Sequence, residues 1–409
     1  MRTQFHRLCL LLTLVSSGFV APLIAADTPA ATPPATAPSP HSGIRLLLPP
    51  VIYTVPGIEA NLYFENVCLM VNPKNYVFDV DAPRGHQEAE RWTYLPTDKD
   101  IGDYRLTLTV RDENNAVVAT TSTIVRVTPA DAGADQPLSL LCIGDSLTNA
   151  SVYPQRILEA AERPANPKLT LIGTYGPGSG AANGPVKHEG YGGWTALRFA
   201  THFTDTARTG DAAKRGSPFL YAQPTGPPKL DFTRYCADVN GGKFPDRVTI
   251  FLGPNDLFSY QDETIDAAAE KMLSHFDQIV EMVRTSSPAT RIGLMLPVPP
   301  TSSQDAFGNN YGNGQTRWQY KRNMHRLVEK MQERYGKREA ENIDLVPTHI
   351  NLDCDHNYPT SEALANAWAT DKITRQNNSV HPAASGYKQI GDSVYCWLKA
   401  TAVKPAAAK

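Results

Sequence analysis

The stretch Leu138–Thr148, reading LSLLCIGDSLT, constrains this chain more than any other. An almost unbroken apolar run of this length suits a strand buried on both faces, the pattern of a parallel sheet. It ends in Gly144-Asp145-Ser146, and helical sequence follows a few residues later. A tight glycine turn after such a strand holds the next polar side chain above the sheet edge, where open α/β folds bind ligands. The Ser146 hydroxyl would stand there beside N–H groups that have no helical partner. That is how a nucleophile is presented, although the G-x-S-x-G elbow of α/β-hydrolases is absent. A strand, a turn and a helix N-cap explain the same residues without any chemistry, because Asp and Ser are common at both places.

With 409 residues, 41% of them hydrophobic, the chain holds enough apolar content for a full core and for two domains. The formal net charge is -2 and no block of Lys and Arg is present, so no nucleic-acid partner is expected. Arg2 and Arg7 precede the apolar run Leu8–Val15, and small residues follow at Ala25-Ala26. This predicts a signal peptide over residues 1–26 and an exported protein, periplasmic or extracellular. The run is short for a span and is broken by Ser16-Ser17-Gly18 and Pro22, so no transmembrane segment is expected in the mature chain. Residues 27–42 are rich in Pro, Ala and Thr, have nothing to bury and read as an extended linker. Cys68, Cys142, Cys236, Cys354 and Cys396 are too widely spaced for a disulfide scaffold or a structural zinc site. Cys236 and Cys354, in loop-like sequence, are candidates for one bridge.

From 43 to 129 the pattern is short strands and turns with almost no helical period, predicting an immunoglobulin-like β-sandwich. Tyr104, Leu106, Leu108 and Val110 fall on one face of its clearest strand. Residues 137–403 then alternate strands and helices. Strands are predicted at 138–143, 169–172, 248–252, 292–296 and 343–346. Helices are predicted at 153–162, 195–204, 265–283 and 318–335, with a last one marked by Ala384, Tyr387, Ile390, Val394 and Trp397. Such alternation argues for a parallel sheet with helices on both faces. Residues 205–243 and 301–311 show no clean period and read as loops.

Three further pieces fall where strands meet loops. His188–Thr195, HEGYGGWT, packs glycines closely enough for backbone N–H groups to approach a ligand. Gly253-Pro254-Asn255-Asp256 sets an amide donor at the end of the strand 248–252. His381-Pro382 places an imidazole just before the last helix. Each has an innocent reading: glycine loops turn, Asn caps and His-Pro opens a helix. Together they supply a nucleophile, two kinds of donor and a base, the requirement for acyl transfer. A metal site is not expected, since His356 with Asp353 and Asp355 lacks a further ligand from another element. No other cofactor is expected.

At these residues the sequence resembles the SGNH hydrolases, also called the GDSL esterase/lipase family. Gly144-Asp145-Ser146-Leu147 matches the first block of that family, and Gly190–Thr195 the second, with Gly193 at the oxyanion glycine. Gly253–Asp256 matches the third, with Asn255 as the other oxyanion donor, and His381 matches the catalytic histidine. The resemblance implies a three-layer α/β/α flavodoxin-like fold over roughly 137–400 and leaves the N-terminal region unexplained. It also implies a serine esterase, and an exported one with an accessory sandwich resembles a carbohydrate esterase that removes short acyl groups, chiefly acetyl, from a glycan. A lipase or arylesterase of the same fold and a non-catalytic glycan-binding protein are the alternatives.

The sequence departs from the family at one point. The triad acid of SGNH enzymes stands three residues before the histidine, and here that residue is Asn378. Replacing the acid by Asn in a serine protease costs about 10⁴ in turnover, because the imidazole is held in the wrong tautomer. Three expectations follow. The centre is a Ser-His dyad steered by Asn378 or a backbone carbonyl; or Glu189 replaces the acid, with Asp353, Asp355 and Asp371 as further candidates; or the chain binds without turning over. Trp194, beside the oxyanion loop, reads either as a sugar platform or as core.

Overall fold

The computed structural model describes residues 44–204 and 215–402. The stretches read above as signal peptide and linker lie outside the described residues. Among the described residues no helix is long and apolar enough to cross a membrane.

The central sheet is parallel throughout. Strand Pro137–Gly144 is paired on one side with Lys168–Ile172 and, nearer its end, with Glu189–Gly190. Arg247–Phe251, Arg291–Met295 and Ile343–Val346 follow in order on its other side. The chain thus lays down its first strand inside the sheet, adds the second to one side, then returns to build outward on the other. A doubly wound sheet of this kind opens a crevice where the direction of building reverses, at the carboxyl ends of the strands. Here that crevice lies between Gly144 and Phe251.

Successive side chains of a strand face opposite ways, and both faces of this sheet are covered. Leu141 and Ile143 join Val248, Ile250 and Leu294 beneath helices Ile265–Ser286 and Arg317–Tyr335. Leu138, Leu140 and Cys142 join Leu171, Met295 and Val346 beneath helices Val152–Ala161 and Ala384–Ala402. The unbroken apolar run of the sequence is therefore two half-patterns, one for each helical layer.

Residues before 129 form two smaller sheets around a shared core. One has the order Val51–Thr54, Val117–Val127, Gly102–Arg111, Val77–Asp81; the other joins Ala60–Tyr63, Arg91–Tyr94 and His86–Gln87. Leu106, Leu108 and Val110 are fully buried against Leu62, Trp92 and Tyr94. Packing continues across residue 129. Tyr53, Val55 and Ile58 belong to the core under the last helix, Leu47 to the core on the opposite face, and Ile350 enters the N-terminal core. The change of element type near 129 is thus a boundary in sequence pattern and not in packing.

Several local readings need correction. The expected loop 205–243 contains the helix Phe232–Asn240, capped by Asp231 and closed by Gly241 at φ 57°. The loop 301–311 contains the helix Gln304–Tyr311, which Ser303 caps. A hairpin of Thr360–Leu364 and Lys372–Gln376, not read from the sequence, precedes His381. All five described cysteines, Cys236 and Cys354 among them, are unpaired and buried.

Candidate active site

Asp145 caps the short helix Ser146–Asn149, its Oδ1 accepting from the Leu147 N–H at 2.9 Å. That cap starts the helix one residue after the strand ends and leaves Ser146 in its first position, half-buried. Glycine is required at 144, because a Cβ there would lie 2.0 Å from Thr148 Oγ1 and 2.8 Å from the Phe251 carbonyl. The Ser146 Oγ lies 2.8 Å from Nε2 of His381. Burial lowers the pKa of His381 below the ordinary imidazole value.

The second block is tied to this turn. Gly190 pairs with Gly144, and the Tyr191 N–H donates to the Gly144 carbonyl at 3.0 Å. A Cβ on Gly190 would stand 2.6 Å from Thr148 and 2.8 Å from the Asn149 nitrogen. Gly190→Ala is therefore expected to push the Ser146 helix off the sheet. The expected cost is about 1–3 kcal/mol of stability from overpacking and, from misplacing the hydroxyl, about 10²-fold in kcat/KM. Thermal melting and ester hydrolysis read the two effects. Gly193 is exposed and has φ 73°, a left-handed conformation that favours glycine, although an added Cβ would meet open space.

Asn255 is the second residue of the short helix Pro254–Leu257, and its Nδ2 donates to the Trp194 carbonyl at 3.1 Å and to Asp145 Oδ2 at 3.3 Å. The next residue, Asp256, accepts from the Ala196 N–H at 3.0 Å. The third block thereby clamps the second, a link that sequence spacing does not reveal. Burial pushes the carboxyls of Asp145 and Asp256 up to about 7 each, the Asp145 charge adding to the shift of Asp256. Trp194 is fully buried, with the Arg198 guanidinium 4.8 Å from its ring centre, so it is core and not a sugar platform.

The two preferred sources of a third triad member are both engaged elsewhere. Asn378 Oδ1 accepts from the backbone N–H groups of Val380, at 3.2 Å, and His381, at 2.9 Å. It shapes the loop and makes no hydrogen bond to the ring. Glu189, which begins the strand Glu189–Gly190, is fully buried. It accepts from the Thr174 N–H at 2.8 Å, the Thr174 hydroxyl at 3.0 Å and the Tyr235 hydroxyl at 2.7 Å, as well as from Tyr191. Burial raises its pKa, and these donors act against the rise. Asp353 accepts from the backbone N–H groups of Asp355 and His356 and faces the His356 ring. Among the described residues no carboxylate makes a hydrogen bond to His381.

A second serine–histidine contact lies nearby. Ser151 Oγ is 2.8 Å from His188 Nε2. His188 Nδ1 accepts from the Gly190 N–H at 3.0 Å, so its proton sits on Nε2 and is donated to Ser151, whose own hydroxyl donates to the Asn149 carbonyl at 3.1 Å. Both residues are buried, and burial lowers His188 to about 4.

A family model described as GDSL-like Lipase/Acylhydrolase matches residues 142–389, more than half of the chain. The chain belongs to this GDSL family. The matched segment contains the end of the first strand and the rest of the parallel sheet, both serine–histidine contacts and the Gly190–Thr195 and Gly253–Asp256 loops. The protein is a serine ester hydrolase. No curated protein matches its sequence. Among solved structures, a carbohydrate esterase family 3 protein from Talaromyces cellulolyticus is 14% identical, with 65% of this chain and 98% of that one covered and a TM-score of 0.38. A putative arylesterase from Agrobacterium tumefaciens str. C58 is 15% identical, covering 64% and 99%, at a TM-score of 0.36. A carbohydrate acetylesterase family member from Sinorhizobium meliloti is 13% identical, covering 64% and 98%, at 0.34.

Proposed function

We propose that this GDSL hydrolase is an exported carbohydrate esterase that removes short acyl groups, chiefly acetyl, from a glycan. In this reading Ser146 is the nucleophile and His381 the base, and the observation that carries it is their 2.8 Å contact at the crevice of the doubly wound sheet. His381 Nε2 takes the Ser146 proton as Oγ attacks the ester carbonyl. The N–H groups of Ser146 and Gly193 and the Asn255 amide stabilise the tetrahedral oxyanion. For that, Asn255 exchanges its long 3.3 Å bond to Asp145 for one to the oxyanion. His381 then protonates the departing sugar oxygen, and water, deprotonated by His381, releases the acid from the acyl-enzyme.

The Ser151–His188 contact is structural in this reading. A base needs a free lone pair facing its serine, and His188 presents a proton there instead. Polar side chains support a sugar ester over a long-chain lipid. Asn310 Oδ1 accepts from the Ser379 N–H at 3.0 Å, and Asn309 Nδ2 donates to the Asn377 carbonyl at 2.9 Å, so amides flank the histidine loop. The signal peptide at 1–26, the linker at 27–42, an immunoglobulin-like region at 43–129 and a catalytic region at 137–403 complete the proposal.

A fluorophosphonate probe tests the centre: labelling of the wild type that is lost in both Ser146→Ala and His381→Ala is expected, and folded wild type that stays unlabelled refutes it. Hydrolysis of p-nitrophenyl acetate should exceed that of the octanoate. The pH profile gives a further expectation. His381 acts as a base only when neutral, and burial lowers its pKa, with no carboxylate among the described residues bonded to oppose that. The acid limb of kcat/KM therefore falls below pH 6.5, the ordinary imidazole value. Asn378→Asp adds a negative charge beside the ring, favours the imidazolium and moves that limb to higher pH. A limb that does not move in this variant removes Asn378 from the neighbourhood of the base.

A further inference from the structure

A cavity of about 300 Å³ lies in the seam between the N-terminal β region and the loops of the hydrolase sheet. Tyr63, Phe64, Tyr76 and Phe78 line it from one side, and Ser302, Arg317 and Asp355 from the other. Phe64 and Phe78 stack on each other with ring centres 4.8 Å apart and planes 4° from parallel, and both are buried, so that side of the cavity is closed by packed aromatic carbon. Tyr63 and Tyr76, also in the lining, are half-buried. At the rim the Lys74 ammonium lies 3.2 Å from the Glu90 carboxylate, with side chains 80% and 49% exposed. At the deep end the Glu65 carboxylate is bound by Arg317 and, at 2.9 Å, by Lys321 Nζ.

Each cation around this cavity thus has an anionic partner, and Asp355 adds a single negative charge. A space without a dominant sign does not concentrate polyanions or polycations. Aromatic side chains combined with hydrogen-bonding groups of both kinds match an uncharged ring with an apolar C–H face and a hydroxyl edge. The cavity is also joined to the histidine loop. Arg317 Nε donates to the Thr301 carbonyl at 2.9 Å, and the Thr301 N–H donates to the carbonyl of Ser379, two residues before His381, at 3.1 Å.

We propose that this cavity is a saccharide subsite, holding a neutral sugar unit of the glycan whose ester is cut at Ser146. The inference rests on the carbohydrate-ester reading above. Binding a remote sugar there supplies energy that positions the ester at the nucleophile. The test reads binding apart from turnover. Ser146→Ala protein is titrated calorimetrically with unacylated xylohexaose, cellohexaose and mannohexaose. At least one is expected to bind. Adding Ala89→Trp, which sets an indole into the cavity from an exposed lining position, should weaken it roughly tenfold or more by excluding the sugar. Glu90→Ala should weaken it by a smaller factor, and unchanged melting temperatures show that both variants fold. Equal affinity with and without Ala89→Trp, or no binding of any hexaose, overturns the proposal. A protein that binds a hexaose through this cavity yet leaves acetylated oligosaccharides intact keeps the subsite and refutes the substrate reading instead.

Discussion

Ser146→Ala is expected to lower kcat on p-nitrophenyl acetate by about 10⁴–10⁶-fold, the range seen when a serine hydrolase loses its nucleophile. Its melting temperature should stay close to wild type, because Ser146 is half-buried and the helix is capped by Asp145. Ser151→Ala is the matched control. It leaves the His188 Nε2 proton without its acceptor inside the protein, a cost of about 1–3 kcal/mol in stability. Turnover should fall only a few-fold, since no reacting atom is lost. The two variants therefore exchange their phenotypes, one losing rate and the other stability. A collapse of rate in Ser151→Ala with activity retained in Ser146→Ala would assign the chemistry to the buried pair.

Removing the N-terminal region is expected to be nearly as severe. A chain beginning at residue 130 loses Leu47, Tyr53, Val55 and Ile58 from the two cores that clamp the catalytic sheet. At about 1.5–3 kcal/mol for each buried side chain, the loss is comparable with the whole stability of an ordinary domain, about 5–15 kcal/mol. Polar ties go with it. Asn66 Nδ2 donates to the carbonyls of His349 and Leu352 at 2.9 and 2.8 Å, and the Asn61 N–H donates to Asn351 Oδ1 at 2.9 Å. Lys321, itself buried, loses its Glu65 partner. The shortened chain should aggregate or melt far below the chain that begins at residue 44, as soluble yield and calorimetry would show. A shortened chain that melts within a few degrees of the longer one would make the N-terminal region a separable accessory.

Much of the catalytic region was legible from pattern alone. The strand before Gly144 can be read because an unbroken apolar run of that length has few homes outside a two-sided parallel sheet. The long helices carry their period in sequence, and their observed limits, such as Ile265–Ser286 and Arg317–Tyr335, lie close to those expected. Helices Phe232–Asn240 and Gln304–Tyr311 were not legible. They bury only a few side chains each, Phe232, Tyr235 and Cys236 in one and Ala306 and Phe307 in the other, too few to print a period.

Glu189 shows most directly what spacing along the chain leaves open about a carboxylate beside the glycine loop. It lies opposite Ile143 in the parallel register, and neighbours in register share a face of the sheet. Ile143 faces the layer that contains Tyr191 and Tyr235, so the carboxylate points into that layer and finds their hydroxyls there. Spacing along the chain carries no record of this. Asn378 follows a related rule: its amide oxygen accepts from the backbone N–H groups of Val380 and His381 in its own turn.

Local sequence sufficed for the class of sheet, the turn that presents Ser146, the placement of the glycine and Asn255 loops at strand ends, and the histidine at the entrance to the last helix. These follow from local physics: apolar period, glycine where a Cβ cannot fit, and capping. Only the assembled fold shows which histidine faces which serine, that among the described residues no carboxylate is bonded to His381, and that the N-terminal region shares its cores with the hydrolase. Each of those depends on atoms brought together from distant parts of the chain, where direction and burial, not spacing, select the partner.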